Sequence, residues 1–392
     1  MAQFPLYELL ELKKLGKPQL KKGVNPLNSR MYAILTIPLF FFGAHSSIAF
    51  LLFPRAMLHA TAYGHWEPVV LDVLIEFVLT VVLLKGLKKA GNMDYADLFL
   101  PLGRWISTVL ILVIVCYFLF IAIMGIRGFA ELLMIVFVVR SPLYAILLLL
   151  SLITLLGSSI GLQGVFRASN LLSIIFLPAL FFALLGCFVN SKLFNLFPIV
   201  NTSFDFLQHG KFLVPLFSIC PFLFLGMLPP VFRVRMKPIL ITMIALTLLD
   251  LAIVYIPILV YGINAARLLN FPLVTSIDSV NITWTVFNRV SLFYAVALLA
   301  FVLATASFTI WSSALLVRKM VPAWKESYIR PALCFILFGL AYVIPNWSSI
   351  VKIYNIDIWV RLFIYFIIPC AVYVRGGFIQ RMNRKKVYKN GA

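Results

Sequence analysis

The sequence predicts an all-α integral membrane protein of about ten transmembrane helices, with both termini on the cytoplasmic side. Three observations predict it. Of 392 residues, 63% are hydrophobic and only 12% charged, more apolar side chain than a soluble chain of this size can cover. The apolar residues fall in long runs, each close to the roughly 20 residues needed to cross the hydrocarbon. The charges lie between those runs, and the basic ones concentrate in alternate connections. The same apolar content excludes a disordered chain.

The windows that qualify are 31–53, 68–84, 106–126, 141–160, 171–190, 212–229, 238–262, 290–317, 331–346 and 356–374. The ninth is short and ends at Pro345. With an even number of spans, one side holds both chain ends and the connections that follow spans two, four, six and eight. That side carries most of the 33 Lys and Arg, which makes it cytoplasmic. The organisation expected is a cytoplasmic segment over 1–30, a ten-helix transmembrane domain over 31–374 and a basic cytoplasmic tail over 375–392. The formal charge of +20 then faces anionic lipid headgroups rather than nucleic acid. In the first 30 residues Leu9, Leu10, Leu12 and Leu15 are interrupted by Glu8, Glu11, Lys13 and Lys14, so a signal-peptide core is not indicated. The long non-cytoplasmic connections, 190–211 and 263–289, have room for short re-entrant or interfacial helices.

Spans one and six carry small or polar residues near their middles. Span one holds Gly43-Ala44-His45-Ser46-Ser47, and span six holds Ser218-Ile219-Cys220-Pro221 followed by Gly226. Proline lacks a backbone N–H and crowds the preceding turn. Backbone groups freed at membrane depth need a partner, which a bound polar ligand or ion can supply. Discontinuous helices five spans apart are what a five-plus-five inverted repeat produces. Close packing through small residues is the other reading of these stretches.

Charges inside the spans are few. Asp72 and Glu76 lie one turn apart in span two, and Asp250 lies in span seven. Such carboxylates face the bundle interior, with a proton or ion role or an arginine partner. His45 either titrates near neutral pH and binds ligand, or bonds a freed carbonyl. Arg127, Glu131 and Arg140 cluster at the outer end of span three, placed to pair across an interfacial helix. Cys116, Cys187, Cys220, Cys334 and Cys370 sit in apolar stretches without a CxxC or Cys/His pair. They indicate neither a disulfide framework nor a metal site. No phosphate-cradling glycine loop, HExxH or nucleophile elbow occurs, so neither an enzyme nor a cofactor is indicated.

Several short motifs add a resemblance running from about residue 40 to 375. They are Phe53-Pro54-Arg55-Ala56, Leu102-Gly103-Arg104-Trp105, Arg127-Gly128-Phe129-Ala130-Glu131 with Arg140-Ser141-Pro142 after it, Phe224-Leu225-Gly226-Met227, and Phe271-Pro272 with Asn288-Arg289 downstream. In this order they resemble the spore germination receptor B-subunits (the GerAB type), distant members of the amino acid–polyamine–organocation transporter superfamily. The chain departs from that pattern at Ser47-Ile48-Ala49, Leu228 and Asn288. The resemblance implies a LeuT-like fold with broken helices one and six in the spore inner membrane. It implies an A-type membrane subunit and a C-type lipoprotein as partners, and a small nutrient such as an amino acid as ligand. The pocket expected is lined by Gly43, Ala44, His45, Ser46 and Ser47 with Ser218, Ile219 and Cys220, and walled by Tyr117 and Thr305. The competing expectation is a proton- or sodium-coupled amino acid permease, with Asp72, Glu76 and Asp250 as the proton or ion residues.

Overall fold

Runs of Leu, Ile, Val and Phe this long satisfy their backbone within lipid only by coiling on themselves. The computed structural model describes residues 32–138, 140–201, 205–207, 213–216, 221–230, 234–280 and 290–390, and all regular structure among them is helical. The main segments are α1 Ile37–Ala60, α2 Trp66–Lys89, α3 Arg104–Leu132, α4 Leu143–Ser159 and α5 Gly161–Gly186. They continue with α6 Leu213–Leu216, α7 Met236–Tyr261, α8 Val290–Met320, α9 Glu326–Val343 and α10 Ile358–Asn390. Short helices occupy the connections: Tyr95–Phe99, Ile263–Leu268, Pro272–Asp278 and Trp347–Ile356. Those over 263–278 realise the room expected there, and the Trp347–Ile356 helix occupies the connection between windows nine and ten.

Among the described residues, seven helices are long and apolar enough to cross a membrane. They correspond to windows one, three, five, seven, eight, nine and ten. The other three windows have local reasons to differ. α2 is 24 residues long but carries Glu67, Asp72, Glu76 and three lysines near its end. α4 has only 17 residues. Window six is not one regular helix: α6 spans four residues, and Pro221–Met227 is a 3₁₀ run. The 3₁₀ run that begins at Pro221 fits that residue's chemistry, since its ring removes an α-helical donor. Tyr95 compensates: its hydroxyl donates to the Leu223 carbonyl at 2.7 Å. Its ring also lies where a Cβ on Gly226 would be, 2.1 Å from Cζ, so only glycine admits that contact.

Span one is a correction. α1 runs as continuous α-helix through Gly43–Ser47, where a break was expected. The stretch contains no proline, and the Ser47 hydroxyl turns back onto the Ala44 carbonyl at 2.7 Å, which keeps its polarity inside the helix. The small residues serve close packing here. Irregular turns sit instead before α1, as a π-helical turn over Tyr32–Thr36, and Pro54 is accommodated within the helix.

Two helices form the centre. The most apolar stretches of α1 and α8 are 78% and 67% buried, against 28% for α5 and α9, so the latter two present most of their surface outward. α8 packs on α1, α3, α4, α5 and α9, and α1 packs on α7. At the periphery α2 and α10 touch backbone to backbone. A Cβ on Gly86 would lie 2.7 Å from the Tyr373 amide nitrogen, and one on Gly376 would lie 2.3 Å from the Gly86 carbonyl oxygen. Gly86→Leu is therefore expected to lower stability by about 1–3 kcal/mol through overpacking, measured by thermal unfolding in detergent. Gly339→Ala, whose added methyl meets nothing within 4 Å, is the control expected to be neutral or stabilising.

Candidate functional site

The interior face of α1 organises the site. Gly43 abuts Phe301 of α8, with an added Cβ 3.0 Å from the ring. Phe40, one turn earlier, is ringed by Phe166, Phe224 and Phe308 at centroid distances of 5.0–5.1 Å. Ala44, His45, Ser46 and Ser47 are all buried. Thr305, one turn beyond Phe301, is buried as well, and neither its hydroxyl nor that of Ser46 has a hydrogen-bond partner among the described residues. Tyr117 is buried too, and its hydroxyl shares a hydrogen bond with that of Tyr365 on α10. Ser218, Ile219 and Cys220 fall outside the described residues.

His45 reaches further than the sequence suggests. Its Nε2 lies 3.1 Å from each carboxylate oxygen of Asp250 on α7, and its Nδ1 lies 3.9 Å from Oε1 of Glu76 on α2. Asp72 sits one turn before Glu76, within electrostatic reach of both Asp250 and Glu76. It is 0% exposed, and both of its carboxyl oxygens lack a hydrogen-bond partner among the described residues. One imidazole and three carboxyls from α1, α2 and α7 thus share one buried location. The partner of His45 is a carboxylate where a backbone carbonyl was one expectation, and the acids gather on an imidazole where an arginine was another.

The C-terminal end of α3 carries a different assembly. Arg127 is 0% exposed and forms an ion pair with Glu131 one turn on. Its Nε donates to the Ile344 carbonyl at 3.0 Å, and Glu131 accepts from the Trp347 amide at 3.2 Å. The pair therefore joins α3 to the start of the Trp347–Ile356 helix, a positioning role in which each charge meets its opposite. Arg140 is exposed and takes no part.

A family comparison bears on these residues together. The model of the family described as Spore germination protein matches residues 31–352, which include α1, the acid–imidazole cluster and the Arg127–Glu131 pair. The chain belongs to the spore germination protein family. A comparison with curated proteins returns no match. In this family member the matched region ends just short of α10, so α10 lies beyond it although it packs along α2.

Beyond the far end of α1, the α1–α2 connection is held by a polar latch. Arg267 donates from Nε to the Leu58 carbonyl at 2.8 Å and from Nη2 to the Thr61 and Ala62 carbonyls. Asn201 donates its amide to Glu67 at 2.9 Å and its side chain to Thr61 at 3.1 Å. His65, in the same connection, is pushed down to about 4, first by burial and then by the nearby Arg267 charge. A histidine depressed below its unfolded value favours the folded state above about pH 6.5, and that contribution is lost as pH falls through the folded value. Thermal unfolding is expected to move to lower temperature between about pH 6.5 and pH 4, and His65→Gln to flatten that part of the profile. An unaltered profile in His65→Gln contradicts the assignment.

Proposed function

We propose that this chain is the nutrient-sensing membrane subunit of a spore germination receptor. In this reading it binds a small nutrient such as an amino acid at mid-membrane and passes the event to an A-type membrane subunit and a C-type lipoprotein. It resides in the spore inner membrane with both termini cytoplasmic. The observation that carries the reading, beyond family membership, is that two buried hydroxyls, Ser46 on α1 and Thr305 on α8, lack a hydrogen-bond partner among the described residues, on helices packed against each other. Polar groups left unsatisfied at membrane depth cost free energy that a ligand's own polar groups recover. Gly43, Ala44, His45 and Ser47 make up the rest of the proposed lining on this turn of α1, with Ser218, Ile219 and Cys220 as its proposed counterpart in span six. Tyr117 and Thr305 form the walls in this reading, although Tyr117 is already engaged by Tyr365.

Signalling requires that the nutrient bind one conformation better than another. A leucine at position 47 fills the space beside α8 without adding charge. Ser47→Leu is expected to raise the nutrient concentration for half-maximal dipicolinate release at least about tenfold, equivalent to about 1.4 kcal/mol. Ser47→Ala is expected to stay near the parent value, with protein levels in the spore membrane checked by immunoblot. A Ser47→Leu response at unchanged concentration contradicts the pocket.

The second reading, a proton- or sodium-coupled permease, is favoured by one observation: the buried grouping of His45, Asp72, Glu76 and Asp250. Accumulation of labelled amino acid by proteoliposomes under an imposed proton or sodium gradient would select it over the sensor.

A further inference from the structure

The acid–imidazole cluster contains more carboxyls than positive charge to offset them. The titratable groups facing Asp72 are Glu76 on its own helix and Asp250 on α7, with His45 of α1 joined to both. The other elements packed along α2 contribute little to balance them. α6 and the 221–227 run carry no ionisable side chain. On α10, Arg361 is engaged by Asp357 and the Tyr354 carbonyl, Tyr365 by Tyr117, and Tyr373 by Lys89. Arg375 reaches back to the Leu98 carbonyl.

Asp72 is the member that points to a bound species. It is fully buried, and neither of its oxygens receives a hydrogen bond among the described residues. An ionised carboxylate in that position would forgo both water and a donor, beside two further acids. A full complement of charges, three negative against at most one positive, is not sustainable in a dry interior.

We propose that Asp72, with Glu76, Asp250 and His45, forms an exchangeable proton-binding site that ties the seating of α1 to proton occupancy. His45 holds α1 to α7 through Asp250 and lies beside Glu76 of α2. Removal of the proton from Asp72 adds a negative charge next to those contacts, so the cluster must recruit positive charge through His45 or rearrange. Because α1 also carries Gly43–Ser47, proton occupancy bears on the nutrient face; that link alone rests on the proposed sensing role.

The test needs no nutrient, so its failure is separate from failure of the sensor reading. Infrared difference spectra of the purified full chain in lipid, recorded through an alkaline titration, are expected to show a carbonyl-stretch band of a protonated carboxyl that disappears reversibly. Asp72→Asn is expected to lose that band entirely. Asp97→Asn, at a half-exposed position paired with Lys319, is expected to keep it. Parent protein without a titrating band overturns the proposal regardless of how any variant folds. A band that survives in Asp72→Asn but vanishes in Asp250→Asn or Glu76→Gln overturns the assignment to Asp72.

Discussion

One buried imidazole joins α1 to its neighbour α2 and to α7, whose Asp250 lies 205 positions away in the chain. His45 meets both oxygens of Asp250 at 3.1 Å and lies 3.9 Å from Glu76, so α1, α7 and α2 share one polar contact. Most other contacts in the bundle join apolar side chains, and such contacts distinguish weakly between one helix register and another when lipid is the alternative. A buried polar contact does distinguish, because each misplaced partner would leave a charge or donor unsatisfied. The position of α1 against its neighbours, and with it the face bearing Gly43–Ser47, depends on that contact. Arg127 and Glu131 do the same for the far end of α3, and Arg267 for the α1–α2 connection.

Much of the fold was legible because it follows from hydrophobic run length. Each of the expected windows contains helix among the described residues, and seven reach full spanning length and apolarity. Window six was legible as irregular because of Pro221, whose chemistry acts locally. Span one was misjudged for an instructive reason. Gly and Ser weaken a helix in water, but between packed helices they and Ala permit close approach, and the Ser47 hydroxyl is absorbed by its own backbone. Without a proline, small residues alone do not break a buried helix.

The site was legible residue by residue but not as an assembly. Asp72, Glu76, Asp250 and His45 each stand out in an apolar run, because an ionisable group at membrane depth is costly. That Asp250 meets His45, 205 positions away in the chain, is a consequence of how α7 packs on α1, which no local pattern encodes. Tyr95 escaped notice for a related reason. It lies in a short connecting helix with no unusual neighbours, and its role is set by the Leu223 carbonyl and by Gly226. The membership of the spore germination protein family agrees with the architecture, while the acid–imidazole contact gives this chain a specific internal anchor.

The most direct test of that anchor is a double-mutant cycle on His45 and Asp250, with His45→Asn, Asp250→Asn and the double variant followed by thermal unfolding in one detergent. The contact as described predicts that the double variant loses less stability than the two single losses combined, with a coupling of about 0.5–3 kcal/mol. Losses that simply add would mean the two residues act independently, and α1 would then owe its position to apolar packing alone.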